Sequence, residues 1–168
     1  GKLHIENLVH RIPEAWVKTV ADINVEAARP WLKGLGIPKL TKDYREVLKD
    51  PEIQAVLILS STGTHAQFSI ESAQAKKDIF CEKPIDFDVR RIRMVLDAVK
   101  KAGVKFQVGF NRRFDRNFRR VREIVKSGEI GQPHIVKVTS RDPDYNIDYI
   151  LESAKTGGIF YDMTIHDF

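Results

Sequence analysis

One cysteine is all that the 168-residue chain contains, so no internal disulfide can form and a reducing cytosol is the natural compartment. That residue, Cys81, follows Ile79 and Phe80, which marks a buried strand thiol rather than a nucleophile. No apolar run approaches the ~18 residues needed to span a bilayer, and the first residues lack a signal-peptide apolar core. The expectation is a cytoplasmic protein with no membrane partner. Internal repeats and low-complexity tracts are lacking too. Charge of one sign is only modestly in excess: 28 Lys and Arg against 23 Asp and Glu leave +5, which favours an anionic ligand without arguing for nucleic acid. With 42% hydrophobic and 30% charged residues, the composition is that of a globular protein and not of a disordered tail. The length suits one domain, or one domain and the start of another. No initiator Met precedes Gly1, and the expectation is that the natural N-terminus lies upstream.

What is present is an alternation of strands and helices up to about residue 110. Leu3, Leu8, Val9 and Ile12 recur near helical spacing; residues 16–21 read as a strand ending at Asp22. Asn24 is placed to cap a helix carrying Ala27, Ala28, Trp31, Leu32 and Leu35, which Pro30 must either kink or shorten. The continuous apolar run 55–59 predicts a strand covered on both faces, followed by a turn at 60–63 and a helix over about 65–75. A strand at 79–82 comes next. Ile92, Val95, Leu96, Val99 and Ala102 then form one helical stripe that Gly103 ends, and 104–110 reads as another strand. This pattern predicts an α/β fold, a Rossmann-type doubly wound parallel sheet with its ligand outside the carboxyl ends of the strands. Beyond Asn111 the pattern changes to a basic helix over about 115–126, an apparent strand at 134–140 that begins a second sheet, and a helix over 158–168. The border falls near 112–130.

The chemistry-bearing groups cluster at two places. Glu82-Lys83-Pro84 ends an apolar strand, and Asp162 and His166 stand four residues apart, on one face if 158–168 is helical. A lysine to hold a substrate oxygen, an imidazole to take its proton and a carboxylate to orient the ring suit oxidation of an alcohol. Gly1 opens a helix and Asp22 ends the next strand, the spacing at which the last glycine of a dinucleotide fingerprint and its ribose-binding acid occur. On that reading the first strand and first two glycines are missing from the chain. Ile23 and Asn24 supply no cation beside Asp22, so the carboxylate would repel a 2′-phosphate, and NAD is expected in preference to NADP.

These pieces resemble the glucose-fructose oxidoreductase and inositol dehydrogenase family (Gfo/Idh/MocA), most closely its inositol 2-dehydrogenases. The likeness is carried by Gly1 to His4, Ala21-Asp22, Ser60 to His65, Phe80 to Pro84, Gly109 to Asp115, Gly157-Gly158, Asp162 and His166-Asp167, in family order along the whole chain. It implies an NAD-binding Rossmann domain at 1–112, lacking its N-terminal strand, and the start of a substrate-binding α+β domain at 113–168. It implies NAD-dependent oxidation of a polyol hydroxyl, myo-inositol before others, to a ketone. By the same likeness Lys83, Asp162 and His166 are catalytic. Gly1, Asp22, Ser60, Ser61, Thr62, His65, Glu82, Lys83 and Arg112 line the cofactor, while Lys83, Arg112, Asp142, Asp162 and His166 meet the substrate. A homo-oligomer, dimer or tetramer, is implied for the full-length protein. Two departures stand out: Thr62 where the family often has Asn, and Lys76 where it often has Gly, a poor residue for a left-handed helix end. The Lys83-Pro84 bond is expected to be cis.

Rival readings differ in class. Arg112, Arg113, Arg116, Arg119, Arg120, Arg122 and Lys126 interleaved with Phe110, Phe114 and Phe118 suggest a nucleic-acid module. Yet Phe114, Phe118, Val121 and Val125 recur at helical spacing and read as a buried stripe with solvated arginine flanks. Metal binding lacks a convincing third ligand beside Asp162 and His166. A sensor that binds NAD without turnover is disfavoured by the intact Lys83, Asp162 and His166.

Overall fold

The computed structural model describes residues 1–141 and 157–167. Two small parallel sheets carry the first part of the chain. One pairs β1 (Thr19–Ala21) with β2 (Lys39–Thr41); the other orders β3 (Ala55–Ile58), β4 (Asp78–Cys81) and β5 (Phe106–Val108) side by side. Helices α1 (Lys2–Arg11), α2 (Val25–Leu32), α3 (Tyr44–Lys49), α4 (Thr62–Gln74) and α5 (Val89–Ala102) alternate with them. Both sheets are parallel and every crossover carries a helix, so the strand C-termini within each sheet emerge at one end. No helix among the described residues is long and apolar enough to cross a membrane.

Each sheet closes over its own core. Val56, Ile58, Ile79 and Cys81 point into a cluster with Ile53 and Ala73, against which Phe68 of α4 and Ala98, Val99 and Ala102 of α5 pack. Ile5 of α1, Val20, Ala28 and Leu32 form the second cluster. The run 55–59 does not lie covered on both faces as its sequence suggests, because α4 and α5 take one face and Ala55 and Leu57 remain exposed on the other. The β3 start is pinned by Lys77, buried, whose Nζ donates to the carbonyls of Asp50 and Ile53 at 2.6 and 2.7 Å.

Capping follows the residues the sequence offers. Asn24 accepts from the Ala27 N–H at 3.1 Å, and Asp88 from that of Arg90 at 2.8 Å, each such cap contributing about 0.5–2 kcal/mol. Pro30 falls in the last turn of an eight-residue α2, so the helix is short rather than kinked in its middle. Gly103 ends α5 in the left-handed conformation at φ 70°. Lys76 occupies that same conformation after α4, at φ 60°, which for a residue with a Cβ costs about 1–2 kcal/mol. Its Nζ recovers one exposed hydrogen bond, to the Ala102 carbonyl at 2.9 Å. Lys76→Gly is therefore expected to raise the melting temperature by about 2–4 °C. A thermal scan showing no rise would mean that the turn carries no strain.

Past β5 a 3-10 turn at Asn111–Phe114 leads to α6 (Arg116–Ser127), capped by Asp115, which accepts from the N–H groups of Asn117 and Phe118. Three sequence expectations fail in this part. The α6 stripe is not buried: Phe114, Phe118, Val121 and Val125 are exposed, and among the described residues only the preceding turn, through Arg112 over the Phe118 ring, meets that face. Residues 134–140 form no strand, since among the described residues no strand stands beside them to take their backbone hydrogen bonds, and Ile135 and Val136 are exposed. The final helix is not continuous either. A short α7 (Gly158–Asp162) breaks at Met163 into a 3-10 turn, Thr164–His166, so Asp162 and His166 do not share a regular helical face.

Candidate active site at the strand ends

Four loops leave the carboxyl ends of β1, β3, β4 and β5, and they carry Asp22, Ser60 to Thr62, Glu82 with Lys83, and Arg112. Asp22 follows β1, with Oδ1 accepting from the Asn24 N–H at 2.8 Å and Oδ2 without a partner among the described residues. Gly1 caps α1, with open space where a side chain would stand. Ser61 is the N-cap of α4 and Thr62 its first residue. Neither hydroxyl is engaged by a described residue, whereas Ser60 Oγ meets Thr64 Oγ1 at 2.6 Å. Free hydroxyls at a helix N-terminus that follows β3, and an acid at the carboxyl end of β1 in the other sheet, are groups of the kind that hold the phosphates and ribose of a dinucleotide. His65 is placed differently: it is 2% exposed beneath these loops, so it is not a residue of the exposed rim.

Lys83 follows β4, and the bond to Pro84 is cis, as expected from sequence. Its Nζ donates to the backbone carbonyl of Asp162 at 2.6 Å and to Oδ1 at 3.0 Å. The pair is partly screened from water, with side-chain exposures of 16% and 32%. Asp162 thus pairs with the lysine, where the sequence suggested the imidazole. His166 stands in the same cluster. Burial, and then the charges of Lys83 and Arg112, hold its pKa below the usual 6.5, while Asp162 and Glu82 act in the opposite direction. The neutral ring, able to accept a proton, is therefore the favoured form near neutrality. Its Nδ1 is buried with no hydrogen-bond partner among the described residues.

Arg112, in the turn after β5, is held by Asp167 and donates from Nη2 to Ser140 Oγ at 3.1 Å. Its guanidinium also lies over the Phe118 ring, 5.2 Å from the centroid. The 157–167 segment is docked from its other end by Phe87, whose ring meets Tyr161 edge-on at 5.4 Å. Gly157, at φ 75°, leaves that ring its space: a Cβ there would sit 2.5 Å from Phe87 Cε1. Cys81 takes no part, being fully buried, with its thiol pushed up to about 11 by burial. Among the described residues no group of three or more His, Cys, Asp or Glu is arranged to hold a metal. Asp142 lies outside the described residues.

Three participants had no role assigned from sequence. His4, one turn into α1, places Nε2 2.7 Å from Glu82 Oε1, while Glu82 Oε2 accepts from the Lys83 N–H at 3.1 Å. Gly109 leaves room for that carboxylate, since a Cβ would lie 2.9 Å from Oε2. Asp167 holds Arg112. The signals available were a histidine at helical spacing from Gly1, a glycine at a strand end and an acid beside His166; none specifies a partner.

Known proteins resemble this chain along its whole length. Residues 1–110 match the family described as "Oxidoreductase family, NAD-binding Rossmann fold", and residues 118–168 match the "GFO/IDH/MocA C-terminal domain". An uncharacterized oxidoreductase of Bacillus subtilis, YrbE, is 50% identical over the whole chain, which covers 48% of it. A myo-inositol 2-dehydrogenase of Thermotoga maritima is 45% identical over the whole chain, which covers 49% of it. The crystal structure of scyllo-inositol dehydrogenase from Lactobacillus casei with NAD(H) and scyllo-inositol bound superposes with a TM-score of 0.90 at 32% identity, over 99% of this chain and 50% of that one. The chain spans about half the length of the curated relatives it matches. Its sequence, its parallel α/β fold and its strand-end residues together place the chain in the Gfo/Idh/MocA oxidoreductase family, with an NAD-binding Rossmann domain.

Proposed function

We propose that the full-length protein is an NAD-dependent inositol 2-dehydrogenase, oxidising one ring hydroxyl of a polyol, myo-inositol before others, to a ketone. The observation that carries this reading is the convergence of Lys83, Asp162 and His166 at the carboxyl end of a parallel sheet. In it Lys83 holds the reacting oxygen and favours its negative character, and His166 takes the hydroxyl proton. Asp162 keeps Lys83 extended and offsets its charge. Gly1, Asp22, Ser61, Thr62, Glu82 and Arg112 hold the dinucleotide, which supplies a hydride acceptor when bound. Asp142 remains a candidate substrate contact. We further propose the division into a cofactor domain at 1–112 and the start of a substrate domain at 113–168, a homo-oligomer, and a cytoplasmic location.

Following absorbance of the reduced nicotinamide with myo-inositol and either cofactor tests the reading. Like charges brought together cost several kcal/mol, so Asp22 should favour NAD over NADP by about a hundredfold in kcat/KM. Equal or NADP-favouring values would remove the Asp22 assignment. NAD binding without oxidation of any polyol in a panel would favour a sensor.

A further inference from the structure

The buried imidazole of His65 lies between the two loops that carry the cofactor-side hydroxyls and the lysine. It stands one turn into α4, 2% exposed. Nδ1 is 2.7 Å from the Pro84 carbonyl, and Nε2 is 3.0 Å from the Ser60 carbonyl. The final ladder bond between β3 and β4 on this side runs from the Glu82 N–H to the Ile58 carbonyl at 3.0 Å. Beyond it the loops separate, and no backbone N–H among the described residues reaches either carbonyl. The imidazole spans that separation. A neutral ring has one N–H and donates to one of the two carbonyls at a time, and the shorter contact is the one to Pro84.

We propose that His65 is a positioning residue: by donating to the Pro84 carbonyl from the first turn of α4, directly after the loop at Ser60, it fixes the direction in which Lys83 leaves β4 and makes the cofactor loop and the lysine one unit. The proposal rests on the function given above for Lys83. Geometry supports it from the other end as well. The far end of Lys83 is already set by Asp162, so a shift of the Pro84 turn would pull the ammonium away from the reacting oxygen. Misplacement by about 1 Å can cost about a hundredfold in rate.

The experiment compares His65→Leu, His65→Asn and His65→Gln in the full-length protein, read by kcat, KM for NAD, NADH titration by fluorescence, and the pH profile. Asn carries its amide nitrogen near the place of Nδ1 and can keep the Pro84 bond; Gln reaches toward Ser60 instead. The Leu variant is expected to lose at least about tenfold in kcat and to bind NADH about threefold or more weakly. Asn should restore kcat better than Gln. Because Lys83, with Arg112, lowers the His166 pKa against the pull of Asp162 and Glu82, displacing Lys83 should also move the acidic limb of the Leu profile upward. A purely structural role would lower the melting temperature and the folded fraction but leave that limb and the NADH affinity of the folded protein in place. If the Leu variant does not fold, the order of Asn and Gln decides. Parental kcat and parental NADH affinity in all folded variants would overturn the proposal. If the parent binds NADH but oxidises no polyol, the proposed function fails, and His65 is judged by NADH affinity alone: weakening in Leu restored in Asn upholds the tether, and no change overturns it.

Discussion

His166→Ala in the full-length protein is expected to lower kcat for inositol oxidation by about 10²- to 10⁴-fold, the usual cost of losing a positioned general base. NAD affinity should change little, because the ring Nδ1 makes no hydrogen bond to any described cofactor-side residue. The parent should carry a second mark of the same base. Burial and the neighbouring Lys83 and Arg112 depress the His166 pKa below 6.5, so the ring stays deprotonated into mildly acid solution. The acidic limb of kcat/KM should therefore fall below that of an ordinary imidazole. Stopped assays of the variant with NAD calorimetry, and a pH profile of the parent, measure the two effects. A variant as fast as its parent would show that the proton leaves by another route.

Legibility from sequence depended on how local the determining physics was. Asn24, read as a cap from sequence, accepts from an N–H group three residues on, so its sequence context suffices; Asp88 and Asp115 cap by bonds just as local, although the sequence reading did not assign them. Gly103 ends α5 for the same kind of reason. The parallel pairing of β3, β4 and β5 followed from apolar runs separated by helical stripes. Burial of a face is not local. The exposed side of β3, the open stripe on α6 and the unpaired 134–140 segment all depend on what packs beside them, which periodicity does not encode. In the site, Lys83, Asp162 and His166 were legible as residue types, but their pairing was not. The break at Met163 removes the simple four-residue relation between Asp162 and His166, and the lysine from a distant strand end takes the carboxylate. His4 and Asp167 were missed as partners because each acts across the fold, on Glu82 and Arg112.

Lys83→Met should reduce kcat by about 10²- to 10³-fold, the loss typical of removing one donor aimed at a developing oxyanion. Met keeps the apolar length of the side chain and removes the charge, which leaves Asp162, about a third exposed, without its cation. Two accompanying changes separate this from general damage. Removing the charge of Lys83 takes away one of the influences that depress the His166 pKa, so the residual activity should show its acidic limb at higher pH. The Asp162 segment should also loosen, since two of its ties to the sheet run through Nζ, and hydrogen exchange over 157–167 should quicken. An unchanged rate would contradict the role of Lys83. A lower rate with an unmoved limb would place Lys83 away from His166 in the working enzyme.

Hydride transfer from a carbinol carbon is the claim on which the rest depends, and isotopic labelling tests it directly. The full-length protein is given NAD and myo-inositol deuterated at its ring carbons, and the reduced nicotinamide is isolated and examined by mass spectrometry. The account predicts one deuterium per NADH formed, with a ketone as the other product and none of the transferred deuterium exchanged with solvent. Reduced nicotinamide without deuterium, or no reduction with this or any other polyol, would contradict it.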